Sequence, residues 1–232
     1  MIPIHDRLPR HSPPVVTVLL IAANALVFFY ELSLGQRLEG FLMSAAFVPA
    51  EVATEGIPTA VGSALLSMFL HGGWAHFLGN MLFLWVFGDN VEHRLGHFRF
   101  LLFYVLAGYA ATFAHAWFSP LSTVPAIGAS GAISGVLGAY LFLHPRARIV
   151  TVVWFLFFIR LIEIPAWVYL PIWFLLQVFS GVSSLRAVDA AAGGVAWWAH
   201  IGGFIAGPLL LLLLGGGRRQ PPPEPARTRQ PW

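Results

Sequence analysis

Ser130 stands where a very apolar segment begins, within Gly128-Ala129-Ser130-Gly131-Ala132-Ile133-Ser134-Gly135, and two other apolar segments carry His76 with Asn80, and His200. A serine hydroxyl is a poor nucleophile at its own pKa, so acyl transfer by Ser130 requires a histidine within hydrogen-bond reach to take its proton. His200 is the candidate base. Attack on a carbonyl also creates an oxyanion that needs donors set in place beforehand. Asn80 offers an amide, His76 lies four residues earlier on the same helix face, and the backbone N–H of Ser130 is free if that serine opens a helix. The competing reading is that Ser130 only caps a glycine-rich packing helix.

Composition says what kind of element carries these residues. Of 232 residues 58% are hydrophobic and 10% charged, with a mean hydropathy of +0.76, which marks a polytopic membrane protein. Cysteine is absent, which excludes disulfides, thiolate metal sites and a cysteine nucleophile. The sequence pI of 9.8 does not point to nucleic acid, because all 13 basic residues are arginines and they sit at the ends of apolar runs.

Six spans follow: Val15 to Leu34, Trp74 to Phe87, Phe98 to Phe118, the Ser130 helix as far as Pro145, a fifth from about Pro165 to Ser183, and Val195 to Leu214. Arg7 and Arg10 ahead of the first run raise a signal peptide as the alternative. That run is longer than a usual h-region and no A-x-A site closes it, so it is read as an uncleaved helix. The predicted fold is an all-α polytopic membrane protein, a six-transmembrane-helix bundle over residues 15–215 with a tail over 1–14 and a disordered tail over 216–232. Gly35 to Gly73 is expected to form a structured interfacial loop. Ile149 to Ile159, cut off by Arg160 and Glu163, is expected to lie in the interface without spanning.

An even number of spans puts both termini on one side, and on that side fall all the arginines except Arg37 and Arg186. The positive-inside rule then makes both termini cytoplasmic, so the outer ends of spans two, four and six are their N-terminal ends. His71, His76, Asn80, Ser130 and His200 all lie near those ends, and an ionisable group inside a span is a functional hypothesis by default. No acid is expected in the outer half of a span, and Asp189 falls in a loop, which predicts a Ser-His dyad rather than a triad.

Helical period supplies a second link. His200, Gly203 and Gly207 share one stripe of the last span, and Gly131, Gly135 and Gly138 share one stripe of the fourth. If the two stripes face each other, the backbones approach closely and His200 is carried to Ser130.

The residues resemble the rhomboid family of intramembrane serine proteases from about Leu70 to Pro208. Gly128-Ala129-Ser130-Gly131 is similar to the family's G-x-S-G, and Ala199-His200-Ile201-Gly202-Gly203-Phe204-Ile205-Ala206-Gly207 to its A-H-x-x-G-x-x-x-G. His76-Phe77-Leu78-Gly79-Asn80 is similar to H-x-x-x-N, and Glu92-His93-Arg94-Leu95-Gly96 to the E-x-R-x-G turn. The resemblance implies Ser130 as nucleophile, His200 as base, His76, Asn80 and Gly128 about the oxyanion, and Glu92 and Arg94 as a structural turn. It implies neither cofactor nor metal, a place in the lipid bilayer, and as substrate a membrane protein with a transmembrane segment, cut near its outer end; the arginine-only basic set and the absence of a targeting segment fit a bacterial inner membrane. Two departures stand out: no Trp-Arg pair occurs between Leu32 and Gly73, and Ser134 stands where some members place a tyrosine against the histidine ring, leaving open what orients His200. Two other classes remain as alternatives: a catalytically silent rhomboid relative that binds membrane clients, and a metal or ion transporter using His71, His76 and His200, against which stands the lack of accompanying acids and of an internal repeat.

Overall fold

The computed structural model describes residues 1–9, 12–155, 158–184 and 195–216; nearly all of the expected C-terminal tail, and the loop holding Arg186 and Asp189, lie outside them. The chain begins its helical part with α1 (Val15–Ser33), a continuous apolar helix. The expected interfacial loop then contains α2 (Leu38–Ala45), α3 (Val52–Glu55) and α4 (Ile57–Ser67). Phe47 is fully buried there. Its N–H donates to Ser67 Oγ (2.6 Å), and its carbonyl accepts from the N–H of Ala126 (2.8 Å), which ties the loop to the segment leading to Ser130.

α5 (Trp74–Leu95) and α6 (His97–Phe118) are separated by Gly96 alone, whose φ of +78° stops one helix and turns the chain into the next. α7 (Ser130–Leu143) stops just before Pro145, and α8 (Ala166–Ser184) and α9 (Trp197–Leu213) complete the helices. Every residue of α7 from Gly131 to Tyr140 is buried, so this helix forms the axis around which the others pack.

Among the described residues, α1, α6 and α8 are long and apolar enough to cross a membrane. Six such helices are expected from the sequence. α7 has 14 residues and α9 has 17, which at about 1.5 Å per residue gives roughly 21 and 25 Å against a hydrocarbon layer of about 30 Å.

The glycine stripes meet as a junction of three helices. Side chains at Gly203 and Gly207 would strike the carbonyl oxygens of Gly131 and Gly135, and one at Gly138 that of Phe204. Gly131 and Gly135 themselves turn toward α6, where an added Cβ would lie 2.7 Å from Ala111 Cβ and 2.6 Å from Ala107 Cβ. Small residues on three helices thus let α7 sit between α6 and α9 with backbones nearly touching.

The expectation of an all-α fold is corrected by a three-stranded antiparallel sheet, β1 (Ile2–Asp6), β2 (Arg148–Phe155) and β3 (Phe158–Pro165), in that order. Ile2 pairs with Val152 and Asp6 with Ile149, while Arg148 pairs with Pro165 and Val153 with Arg160. The β-branched run Ile149-Val150-Thr151-Val152-Val153 suits a pleated strand better than a helix. The segment over 1–14 is likewise no free tail. It supplies β1, with the register shift at Ile4, just after Pro3, which cannot donate to the ladder.

Candidate active site

The chain enters α7 through Gly128, where two constraints meet. Its φ of +118° disfavours any side chain, and a Cβ there would lie 2.6 Å from His76 Nε2. Its N–H donates to Ser67 O at 2.8 Å, so α4 anchors the turn that presents Ser130. As the first residue of α7, Ser130 lies among N–H groups that have no partner within the helix, at the positive end of its dipole.

The first turn of α9 brings His200 to the serine: its Nε2 lies 2.8 Å from Ser130 Oγ. On the opposite edge of the ring Nδ1 lies 2.8 Å from Oε1 of Gln177, one of the few polar residues of α8. The imidazole stands between two indoles, Trp173 with ring centres 6.0 Å apart and planes tilted by 35°, and Trp197 at 6.0 Å and 89°. Ser134 donates its hydroxyl to the carbonyl of Ser130 at 2.6 Å, so it is committed to its own helix backbone. Gln177 is absent from the residues singled out in the sequence. The signal for it was a lone amide inside an apolar span, one turn after Trp173.

A cavity of about 590 Å³ opens at this end of the helices, lined among others by His76, Asn80, Ser130, Gln177 and His200. Asn80 is 8% exposed, and its Nδ2 has no hydrogen-bond partner. Leaving such a donor unmet costs roughly 1–3 kcal/mol. His76 Nδ1 takes only a long contact, 3.4 Å, from the N–H of Gly72.

Behind these residues the expectation of no acid in the outer half of a span needs correction. Glu31 lies near the C-terminal end of α1, is buried, and accepts the backbone N–H of His71 at 3.1 and 3.2 Å. Its partner is thus a loop backbone rather than the histidine beside Ser130. His71 donates from Nδ1 to Phe69 O at 3.1 Å and has no partner at Nε2. Burial, helped by the neighbouring His76, holds its pKa down to about 4, so it is uncharged at neutral pH. Among the described residues no three His, Asp or Glu side chains come together to hold a metal ion.

The opposite end of α5 holds Glu92 and Arg94. The buried Glu92 carboxylate accepts the N–H of Val16 (2.8 Å), the N–H of Thr17 (2.7 Å), the Thr17 hydroxyl (2.7 Å) and His97 Nδ1 (2.6 Å). It thereby satisfies the N-terminus of α1, where no side chain of that helix caps it. Arg94 Nε donates to Gly216 O at 2.5 Å, just beyond α9. Close by, Asp6 of β1 accepts the Tyr140 hydroxyl at 2.5 Å and Asn90 Nδ2 at 2.9 Å.

At the serine end a hydroxyl, an imidazole in contact with it and the unpaired amide of Asn80 surround one cavity, an arrangement of groups that acyl transfer can use. A family model described as Rhomboid domain matches residues 59–217. Over 136 residues the chain is 38% identical to Rhomboid protease GluP of Bacillus subtilis (strain 168), which covers 57% of this chain and 25% of that protein. It is 33% identical over 156 residues to Rhomboid protein 1, mitochondrial, of Saccharomyces cerevisiae, covering 63% of this chain and 40% of the relative. RHOMBOID-like protein 4 of Arabidopsis thaliana is 33% identical over 149 residues, 64% of this chain and 33% of the relative. The chain spans between a quarter and two fifths of the length of these relatives.

Proposed function

The chain belongs to the rhomboid family, and we propose that it is a serine endopeptidase working inside the membrane, cutting membrane-protein substrates in a transmembrane segment near its outer end. The observation that carries this reading is the 2.8 Å contact between His200 Nε2 and Ser130 Oγ beside the cavity.

In the proposed reaction His200 Nε2 takes the serine proton as Ser130 Oγ bonds to the substrate carbonyl carbon. The electron pair displaced onto oxygen meets Asn80 Nδ2 and the N–H of Ser130, with His76 beside them. The protonated imidazole then gives its proton to the leaving amine, and water repeats the sequence on the acyl-enzyme. A helical substrate hides its carbonyls in hydrogen bonds, so the cut falls where small or helix-breaking residues let it unwind. Glu92 and Arg94 are structural in this reading.

The proposed setting is a bacterial inner membrane, with residues 15–215 as a six-span domain and both termini cytoplasmic. The arginine distribution supports that orientation. In that orientation Ser130, His200, His76 and Asn80, toward the N-terminal ends of α7, α9 and α5, lie at the outer side, opposite Glu92 and Arg94.

Reconstitution with a single-span reporter substrate tests the activity. Wild type is expected to cleave it, and Ser130→Ala and His200→Ala to lose cleavage while remaining folded. Cleavage that survives Ser130→Ala sinks the serine mechanism, and an inert wild type points to a silent, client-binding relative. Reporter fusions at the C-terminus test the topology, an external C-terminus inverting it.

A further inference from the structure

We propose that Gln177 is a positioning residue for the base: its side-chain carbonyl holds His200 in the tautomer that leaves Nε2 open toward Ser130. The inference rests on the protease reading and supplies what orients the histidine in a chain where Ser134 is bound to its own helix.

The orientation of the Gln177 amide follows from its two contacts. Its nitrogen donates to the Trp173 carbonyl one turn earlier on α8 at 3.2 Å, which turns the oxygen to His200 Nδ1 at 2.8 Å. A carbonyl oxygen can only accept, so Nδ1 carries the hydrogen. A neutral imidazole with its hydrogen on Nδ1 has its lone pair on Nε2, the atom 2.8 Å from Ser130 Oγ. The other tautomer sets lone pair against lone pair at Gln177 and presents an N–H to a hydroxyl that must lose its proton. Gln177 is 7% exposed, so water does not compete freely for the contact.

The surroundings leave this job to Gln177. The titratable groups that interact with the His200 ring are His76 from α5 and His115 from α6, and no carboxylate joins them among the described residues. Trp173, on the same face of α8 as Gln177, lies against the ring at a 35° tilt. One face of α8 therefore sets both the tautomer and the lean of the base. When Nε2 takes the serine proton, Nδ1–H stays on Gln177 Oε1, and the bond strengthens because its donor has become charged.

The test uses the full chain, reconstituted, with Gln177→Met and Gln177→Glu beside wild type and Ser130→Ala. Methionine keeps the length and removes the acceptor, and kcat is expected to fall roughly 10- to 100-fold with KM within about twofold. Glutamate keeps an acceptor oxygen and adds a negative charge that favours the protonated ring, so the acidic limb of its kcat profile is expected to move to higher pH by about one unit. That displacement reports that the side chain at 177 meets the His200 ring, and the loss of kcat at nearly constant KM in Gln177→Met separates positioning from mere packing. Unchanged kcat in Gln177→Met overturns the proposal, and so does an acidic limb in Gln177→Glu that coincides with wild type. If the methionine variant unfolds in detergent, the glutamate profile decides. Failure of a fluorophosphonate probe to label wild type at Ser130 brings down the protease reading and this inference together, whereas labelled wild type with indifferent Gln177 variants removes the inference alone.

Discussion

At its C-terminal end α5 presents Glu92, whose buried carboxylate takes up two backbone N–H groups and a hydroxyl of α1 together with the ring of His97. Toward its N-terminal end the same helix presents Asn80, also buried but on the wall of the cavity, whose amide nitrogen donates to nothing. Buried polar groups are ordinarily paired, because leaving them unpaired forfeits their hydration. The paired end is a joint: it fastens α1 to α5 and, through Arg94, α5 to the end of α9. The unpaired end is a socket: its amide faces the cavity without a partner, and in the proposed reaction it meets the substrate oxygen.

That contrast can be broken from either side. The largest effect belongs to the socket: Asn80→Ala should lower kcat by roughly 10- to 1000-fold while the unfolding midpoint in detergent stays level or rises. A folded variant with wild-type turnover removes Asn80 from the site. Next comes the joint. Glu92→Ala strands the N-terminus of α1 and should cost roughly 3 kcal/mol of stability, yet turnover per active molecule should stay within about twofold, as measured by titrating the nucleophile. A large kcat defect in correctly folded protein would merge the two ends functionally. Tyr140→Phe removes the hydroxyl bound to Asp6 and should cost about 1 kcal/mol, again without touching kcat. The smallest effect tests the socket against itself: Ser134→Ala stands one turn from the nucleophile, but its hydroxyl is bound to the Ser130 carbonyl. Stability should change by about 0.5 kcal/mol or less and turnover should barely move; a large kcat loss would mean the hydroxyl faces the reaction.

Much of the socket is legible in the residue types and their spacing. Ser130, His76, Asn80 and His200 announce themselves because each is a polar residue in an apolar run, at spacings that put it near one end of a helix. Gln177 satisfies the same description and still passed unnoticed, since its meaning depends on a partner on α9 whose distance from α8 no spacing encodes. Glu31 was overlooked for a related reason: its partner is a backbone N–H in a loop, which leaves no pattern of residue types. The two glycine stripes do meet across α7 and α9, but Gly131 and Gly135 also turn toward α6, where Ala107, Ala111 and Ala114 at i, i+4 and i+7 form a third small-residue stripe that contains no glycine to mark it. The sheet was hidden more deeply. Ile149 to Ile159 shows apolar character, non-spanning length and a β-branched start that suits a strand, but nothing local to it names the strand it must pair with. Its pairing with Ile2 to Asp6 reaches across most of the chain.

That last pairing bears on how the molecule is made. β1 leaves the ribosome before its partner, and Val152, opposite Ile2, follows about 150 residues later, roughly 8–30 s at ordinary elongation rates. During that interval seven helices, α1 to α7, are laid down while the first strand waits unpaired. The strand and the later hairpin must therefore be delivered to the same face of the membrane, and closing the sheet becomes a late checkpoint on whether the intervening helices were threaded in the right sense.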